Sequence, residues 1–218
     1  MMTADHIYHP DNITVLRDHV EASLGQHIIH SETQMGEYQI TVSVDQLKHA
    51  LLFLRDDPGC EFKQLVDIAG VDHPDRENRF EINYQLLSLS HNWRIRVIVM
   101  VGEEASVPSV TDIFSTANWF EREIWDLFGV FFADHPDLRR ILTDYGFEGH
   151  PLRKEFPLTG YVEVRYDPEE QRVVYEPVKL TQDFRKFDFE SPWEGMTDIQ
   201  LPGDEKAVRP DHNPREGA

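Results

Sequence analysis

Residues 79–101 read RFEINYQLLSLSHNWRIRVIVMV, and they set the fold class of this chain. Apolar residues alternate on both sides of a break at Ser90-His91-Asn92, the pattern of two strands joined by a polar turn, so the stretch predicts a hairpin. In its second arm Trp93, Ile95, Val97, Val99 and Val101 share one face, and Arg94, Arg96, Ile98 and Met100 share the other. The first face belongs to a core. The second is mixed, which predicts a face partly open or covered by a partner.

Working outward, Ile13, Leu16, Val20 and Leu24 fall on one helical face between Asp11 and Leu24, with Gly25 as a stop. Residues 27–30 and 37–44 predict paired strands around Gly36, with Tyr38, Ile40, Val42 and Val44 facing the core. Asp45 is placed to cap a second helix carrying Leu47, Ala50, Leu51 and Leu54, ended by Asp57-Pro58-Gly59. A two-residue period through Phe62, Val66 and Ile68 predicts a strand over 61–69. Short helical signals follow from Ser109, and Asn118 with Glu121 three residues on reads as a capping pair for a helix ending at Phe128-Gly129. The order predicts an α+β fold, an antiparallel or mixed sheet packed with helices and followed by an extended C-terminal arm. The expected divisions are 1–117 for the α+β domain, 118–166 for a helix with docking loops, and 167–218 for the arm. Eight of the thirteen prolines lie from Pro151 onward, and from Val173 no sustained period is expected to bury a face. The final DEKAVRPDHNPREGA is polar enough to be disordered when free.

A formal charge of −19 opposes binding to nucleic acid or anionic membranes, which need clustered Lys and Arg, and suits a basic protein partner. The acidity is spread, −10 over residues 1–120, −3 over 121–160 and −6 beyond, as on a solvated surface. A lone cysteine, Cys60, forms no internal disulfide and cannot alone hold an iron–sulfur cluster, so it is expected to be a small buried hydrophobe. No stretch approaches the roughly 20 apolar residues of a membrane helix, and the N-terminus lacks the pattern of a signal peptide. The expectation is a soluble intracellular protein, with attachment to a membrane complex left open.

Function concentrates in residues 121–165, EREIWDLFGVFFADHPDLRRILTDYGFEGHPLRKEFPLTGYVEVR. Twelve of the twenty-four aromatics lie between Phe114 and Tyr166, interleaved with charges, the composition of a surface buried against a partner. A free-standing acid–base enzyme would use Glu121, Glu123, Asp126 and His135. The spacing opposes it: Glu121 and Glu123 face different directions on a helix, while Arg122 and Asp126, four apart, are placed to pair with each other. An orienting salt-bridge cluster and a plain solvated helix face are the alternatives. The pairs His6/His9 and His27/His30 lack a convergent third metal ligand, and His135 and His150 suit hydrogen bonding or packing. Arg139, Arg140, Arg153, Lys154 and Arg165 form the one local concentration of positive charge, read either as rigid anchors for partner carboxylates and carbonyls or as a solvated loop. Nucleotide, serine-hydrolase and thiol-redox motifs are missing.

Glu121-Arg122-Glu123, Asp126-Leu127-Phe128, His135, Arg139 and Ile141-Leu142, at their spacing, resemble the signature of the respiratory complex I 30 kDa subunit family. Thr143–Lys154, Gly160–Tyr166, Phe187-Asp188-Phe189 and Ser191-Pro192-Trp193-Glu194 also resemble it, and the likeness covers most of 37–195. The resemblance implies a non-catalytic assembly subunit in the peripheral arm of proton-translocating NADH-quinone oxidoreductase. It would lie on the cytoplasmic side of a bacterial inner membrane, or on the matrix side in mitochondria. It implies no cofactor in this chain, with FMN and Fe-S clusters in partner subunits. The implied partners are the other complex I peripheral-arm subunits, chiefly the one that forms the quinone site and its Fe-S neighbours, docked through 118–166 and the arm. The equivalent subunit of a photosynthetic NAD(P)H dehydrogenase-like complex or an energy-converting membrane-bound hydrogenase is the nearest alternative, and Phe187–Trp193 argues against it.

Overall fold

The computed structural model describes residues 10–182; the pair His6/His9, the motifs at 187–194 and the polar tail lie outside them. The hairpin at 79–101 is β4 (Phe80–Ser88) and β5 (Trp93–Val101), in antiparallel register from Phe80 opposite Val101 to Ser88 opposite Trp93. Every second residue faces inward on both strands, so Phe80, Ile82, Tyr84, Leu86, Ile95, Val97, Val99 and Val101 are buried. Removing this face from water supplies the main stabilisation of the fold.

Three strands flank the hairpin. β1 (Ile28–Gln34) pairs antiparallel with β2 (Glu37–Val42), β2 runs parallel to β5, and β3 (Gln64–Asp72) pairs antiparallel with β4, giving the order β1-β2-β5-β4-β3. The sheet is therefore mixed. Its parallel pair arises because the chain leaves β2 through α2 and returns only after β3 and β4. Helices α1 (Pro10–Leu24) and α2 (Leu47–Asp56) bring Leu16, Val20, Leu24, Leu47, Leu51 and Leu54 into the same core as Tyr38, Ile40 and Val42. On the other sheet face Arg94 is exposed and Arg96, Ile98 and Met100 are half-buried, as the mixed composition predicts.

Several local expectations are corrected. Asp45 does not cap α2: it lies in a 3-10 turn, Val44–Gln46, and α2 begins at Leu47 without a side-chain cap. The strand expected at 61–69 is shifted to Gln64–Asp72. A bulge between Leu65 and Asp67 changes the phase, so Leu65 and Ile68 are buried and Val66 is exposed. Residues 110–114 make a single hydrogen-bonded turn, with the Ile113 and Phe114 amides donating to the Val110 carbonyl. Two small sheets escaped the periodicity: β6 (Ser106–Pro108) parallel to β7 (Phe131–Ala133), and a hairpin of β8 (Val162–Asp167) and β9 (Arg172–Pro177) where no strand was expected past Val173. Among the described residues no helix is long and apolar enough to cross a membrane.

Candidate functional site

Helix α3 (Ala117–Phe128) carries Glu121, Arg122, Glu123 and Asp126, and three of these four are buried. Its last turn packs on β3 because Gly70 leaves room for the Phe128 ring: a Cβ there would lie 2.8 Å from the ring. Gly129 then ends the helix at φ 80, in the left-handed region, where a Cβ would meet the His150 ring and the Arg153 guanidinium at 2.6 Å. Asn118 is not its cap; the helix starts one residue earlier, after Thr116, and Glu121 turns inward instead.

Asp126 is the centre of the arrangement. Its Oδ2 accepts the amides of Ile141, Leu142 and Thr143 at 3.0, 2.8 and 3.0 Å, and its Oδ1 accepts the Thr143 hydroxyl at 2.6 Å and Arg140 Nη1 at 3.0 Å. Burial works against its charge, but the Thr143 hydroxyl and these amides outweigh it and hold the carboxyl well below its ordinary range. The expected Arg122–Asp126 pair is absent. Arg122 donates to the carbonyls of Arg139 and Arg140 at 3.0 and 3.1 Å, so both helix residues grip the same loop. A loop that would leave its backbone groups unpaired against a helix instead finds a carboxylate for its N–H groups and a guanidinium for its C=O groups.

The grip continues downstream. His150 Nδ1 donates to the Asp126 carbonyl at 2.9 Å, Leu152 N–H to the Leu127 carbonyl at 3.0 Å, and Arg153 Nε to the Phe128 carbonyl at 2.6 Å. These are the carbonyls a helix end leaves without intrahelical donors. Burial, with Arg153 and Arg140 adding to it, lowers the affinity of His150 for a second proton. Arg153 also donates to Glu103 at 2.7 Å and lies over the Phe80 ring at 5.1 Å. Asp72 on β3 accepts Arg79 at 2.7 and 2.9 Å and the Lys154 amide at 2.7 Å, and Arg79 reaches on to Glu155. Asp72, Arg79 and Glu103 carried no recognisable signal in the sequence, since their partners are brought together only by the fold, and Thr143 was marked only as the start of a segment that resembles the family.

Glu121 stands apart from this network. Its Oε1 accepts the Val110 amide at 2.7 Å, while Oε2 has no hydrogen-bond partner among the described residues and lies 3.9 Å from His135 Nε2, with both side chains fully buried. His135 Nδ1 accepts the Asp137 amide at 3.0 Å, so Nε2 is the donor and is directed at the Asn118 carbonyl at 3.1 Å. Burial, only partly offset by the Ser109 hydroxyl, the Val110 amide and the Lys48 charge, pushes the Glu121 carboxyl up to about 7. Glu123 is half-buried. The four groups that an acid–base enzyme would use do not converge on an accessible space: Glu121, Asp126 and the His135 side chain are all shut from solvent.

Arg139 and Arg165 behave differently from Arg122, Arg140 and Arg153. Arg139 is exposed and pairs with Asp137 at 2.8 Å, and Arg165 pairs with Glu176 at 3.1 Å on the outside of the β8–β9 hairpin. One further cluster has the chemistry of metal ligands: His19, Asp57 and Cys60, whose donor atoms lie within 4.8 Å of one another. Hydrogen bonding accounts for it. His19 Nε2 is 2.7 Å from Asp57 Oδ1, which also accepts the Gly59 amide at 2.8 Å, and burial followed by the Asp57 charge pushes the Cys60 thiol up to about 12.

Residues 40–162 match the family described as the respiratory-chain NADH dehydrogenase 30 kDa subunit. The chain is 62% identical over 193 residues to the C subunit of NADH-quinone oxidoreductase from Paramagnetospirillum magneticum, spanning 88% of this chain and 96% of that one. It is 58% identical over 201 residues to the protein of the same name from Rhodospirillum rubrum, spanning 90% and 94%. A chain in the solved membrane-bound sulfane sulfur reductase, an archaeal respiratory membrane complex, shares the fold at a TM-score of 0.58 and 22% identity, over 68% of this chain and 86% of that one.

Proposed function

The chain belongs to the 30 kDa subunit family of the respiratory-chain NADH dehydrogenase, and we propose that its part in NADH-quinone oxidoreductase is positional: a non-catalytic assembly subunit of the peripheral arm. One observation carries this. Asp126 and Arg122, two buried polar residues of the signature, are satisfied inside the chain, Asp126 alone taking five hydrogen bonds, so their work is to hold loop 139–143 rigidly on α3. A redox chain needs fixed distances between cofactors held elsewhere, and a stiff, well-determined surface supplies that without chemistry of its own.

On this reading FMN and the iron–sulfur clusters sit in partner subunits, chiefly the quinone-site subunit and its Fe-S neighbours, and this chain binds none. It meets the membrane only through the complex, on the cytoplasmic side in a bacterium. Recovery of the tagged full-length chain from its native membrane, followed by identification of what comes with it, tests the proposal. Flavin- and cluster-containing subunits are expected in the eluate, and the purified chain alone should show no NADH oxidation. A chain that oxidises NADH alone, or that emerges without those subunits, contradicts it.

A further inference from the structure

We propose that the β8–β9 hairpin presents an apolar face that seats in an apolar groove of a neighbouring protein subunit rimmed by Lys and Arg. The inference rests on the assembly role just proposed and adds where the contact lies and what covers it.

Alternation puts Val162, Val164 and Tyr166 on one face of β8, and Val173 and Tyr175 on one face of β9. All five remain between 53% and 60% exposed, whereas the alternate positions carry Glu163, Arg165, Asp167, Arg172 and Glu176, with the half-buried Val174 as the one apolar residue among them. The hairpin is thus amphipathic, with its apolar side facing solvent. A two-stranded ribbon is at best marginally stable in water, and five large apolar residues grouped on one of its faces are the mark of an interaction surface. The Tyr175 hydroxyl donates to Asp144 at 2.6 Å, tying the ribbon to the loop that exposes Leu142 and Tyr145. The face is therefore anchored to the rigid element that Asp126 organises.

Charge selects the occupant. Residues 162–177 hold five acidic and two basic side chains, which repels nucleic acid and anionic lipid alike. A second copy would bring the same acidic rim and be repelled too. A different protein with a basic rim around apolar side chains fits both parts of the surface.

Val164→Asp and Tyr166→Asp, each in the tagged full-length chain expressed in its native membrane, test this on native gels alongside melting of the purified chain. The fraction of chain in the high-mass complex is expected to fall at least tenfold, with a melting temperature within about 2 °C of wild type because the face is open among the described residues. Normal assembly of both variants overturns the hairpin assignment and leaves the assembly role standing. A marked loss of melting temperature overturns it as well, since the face would then be covered within the chain, and so does a wild-type chain that dimerises through this ribbon. If even the wild-type chain enters no complex, the assembly role falls and the hairpin assignment with it.

Discussion

Two regions of this molecule have similar compositions and opposite habits. Helix α3 with the loop it holds, residues 117–156, is dense in charge and aromatic rings, and so is the β8–β9 hairpin that follows. In the first the polar groups point inward and are used up on backbone, as Asp126, Arg122 and Arg153 show. In the second the apolar side chains point outward, with Tyr166 60% exposed. The difference teaches that charged and aromatic residues at similar density either build a rigid interior or leave an apolar face open, and on the proposal above the open face is the one that docks. Invariable geometry is demanded where one carboxylate must meet three consecutive amides, while a docking face asks only for shape, hydrophobicity and complementary charge.

The sharpest break of this comparison is Asp126→Asn. An amide cannot reproduce the acceptor set and leaves Arg140 without its buried counter-charge, so a loss on the order of 3–5 kcal/mol in urea unfolding of the chain is expected. The same group sets an acid limit. Its carboxyl is depressed in the folded state, so the stability it contributes is present above its unfolded pKa, about 3.9, and is lost as pH falls below that value. A loss below about 1 kcal/mol would show that the loop is held by other means.

Glu121→Gln probes a buried polar group that the network leaves out. Its carboxyl is raised from 4.5 to about 7, so folding favours the protonated form. The wild type is at full strength below about 4.5 and loses stability as pH rises towards 7. The Gln variant should match wild type at pH 4.5 and exceed it at pH 8 by on the order of 3 kcal/mol, read from unfolding curves at the two values. Equal stability at pH 8 would mean that the ionised carboxylate finds a partner.

Gly129→Ala is expected to cost about 1–3 kcal/mol, through the positive φ and through displacement of His150 and Arg153 from the helix end. At the other end of the scale, Val173→Ser on the hairpin should change the stability of the chain by less than about 0.5 kcal/mol, because its side chain is 53% exposed. A hairpin substitution as costly as Gly129→Ala would erase the contrast between the two regions.

Much of the fold was legible because it rests on short-range period. The faces of α1, α2, β2 and β5 follow from apolar spacing alone, and the second face of β5 was read correctly as mixed. What escaped depends on contacts between distant segments. The β6–β7 pair joins three-residue strands too short to show a period, and the bulge at Leu65 reverses the phase that Val66 and Ile68 suggested. At the site, the spacing of Arg122 and Asp126 argued for a helical ion pair. It failed because each found a better partner in a loop 14–18 residues on, where Asp126 meets Arg140 and Arg122 meets the Arg140 carbonyl. The residue types pointed to a cluster of consequence; only the fold shows that Arg122, Arg140 and Arg153 turn inward while Arg139 and Arg165 stay out.

Hydrogen exchange of the backbone amides, compared between the free chain and the chain in its native complex, tests the division most directly. The amides of Ile141, Leu142 and Thr143, already bound by Asp126, should be protected in both states. Those of Val162–Asp167 and of residues 172–176 should gain at least tenfold protection on assembly. Slow exchange appearing at 141–143 only in the complex, with the hairpin unchanged, would contradict the account.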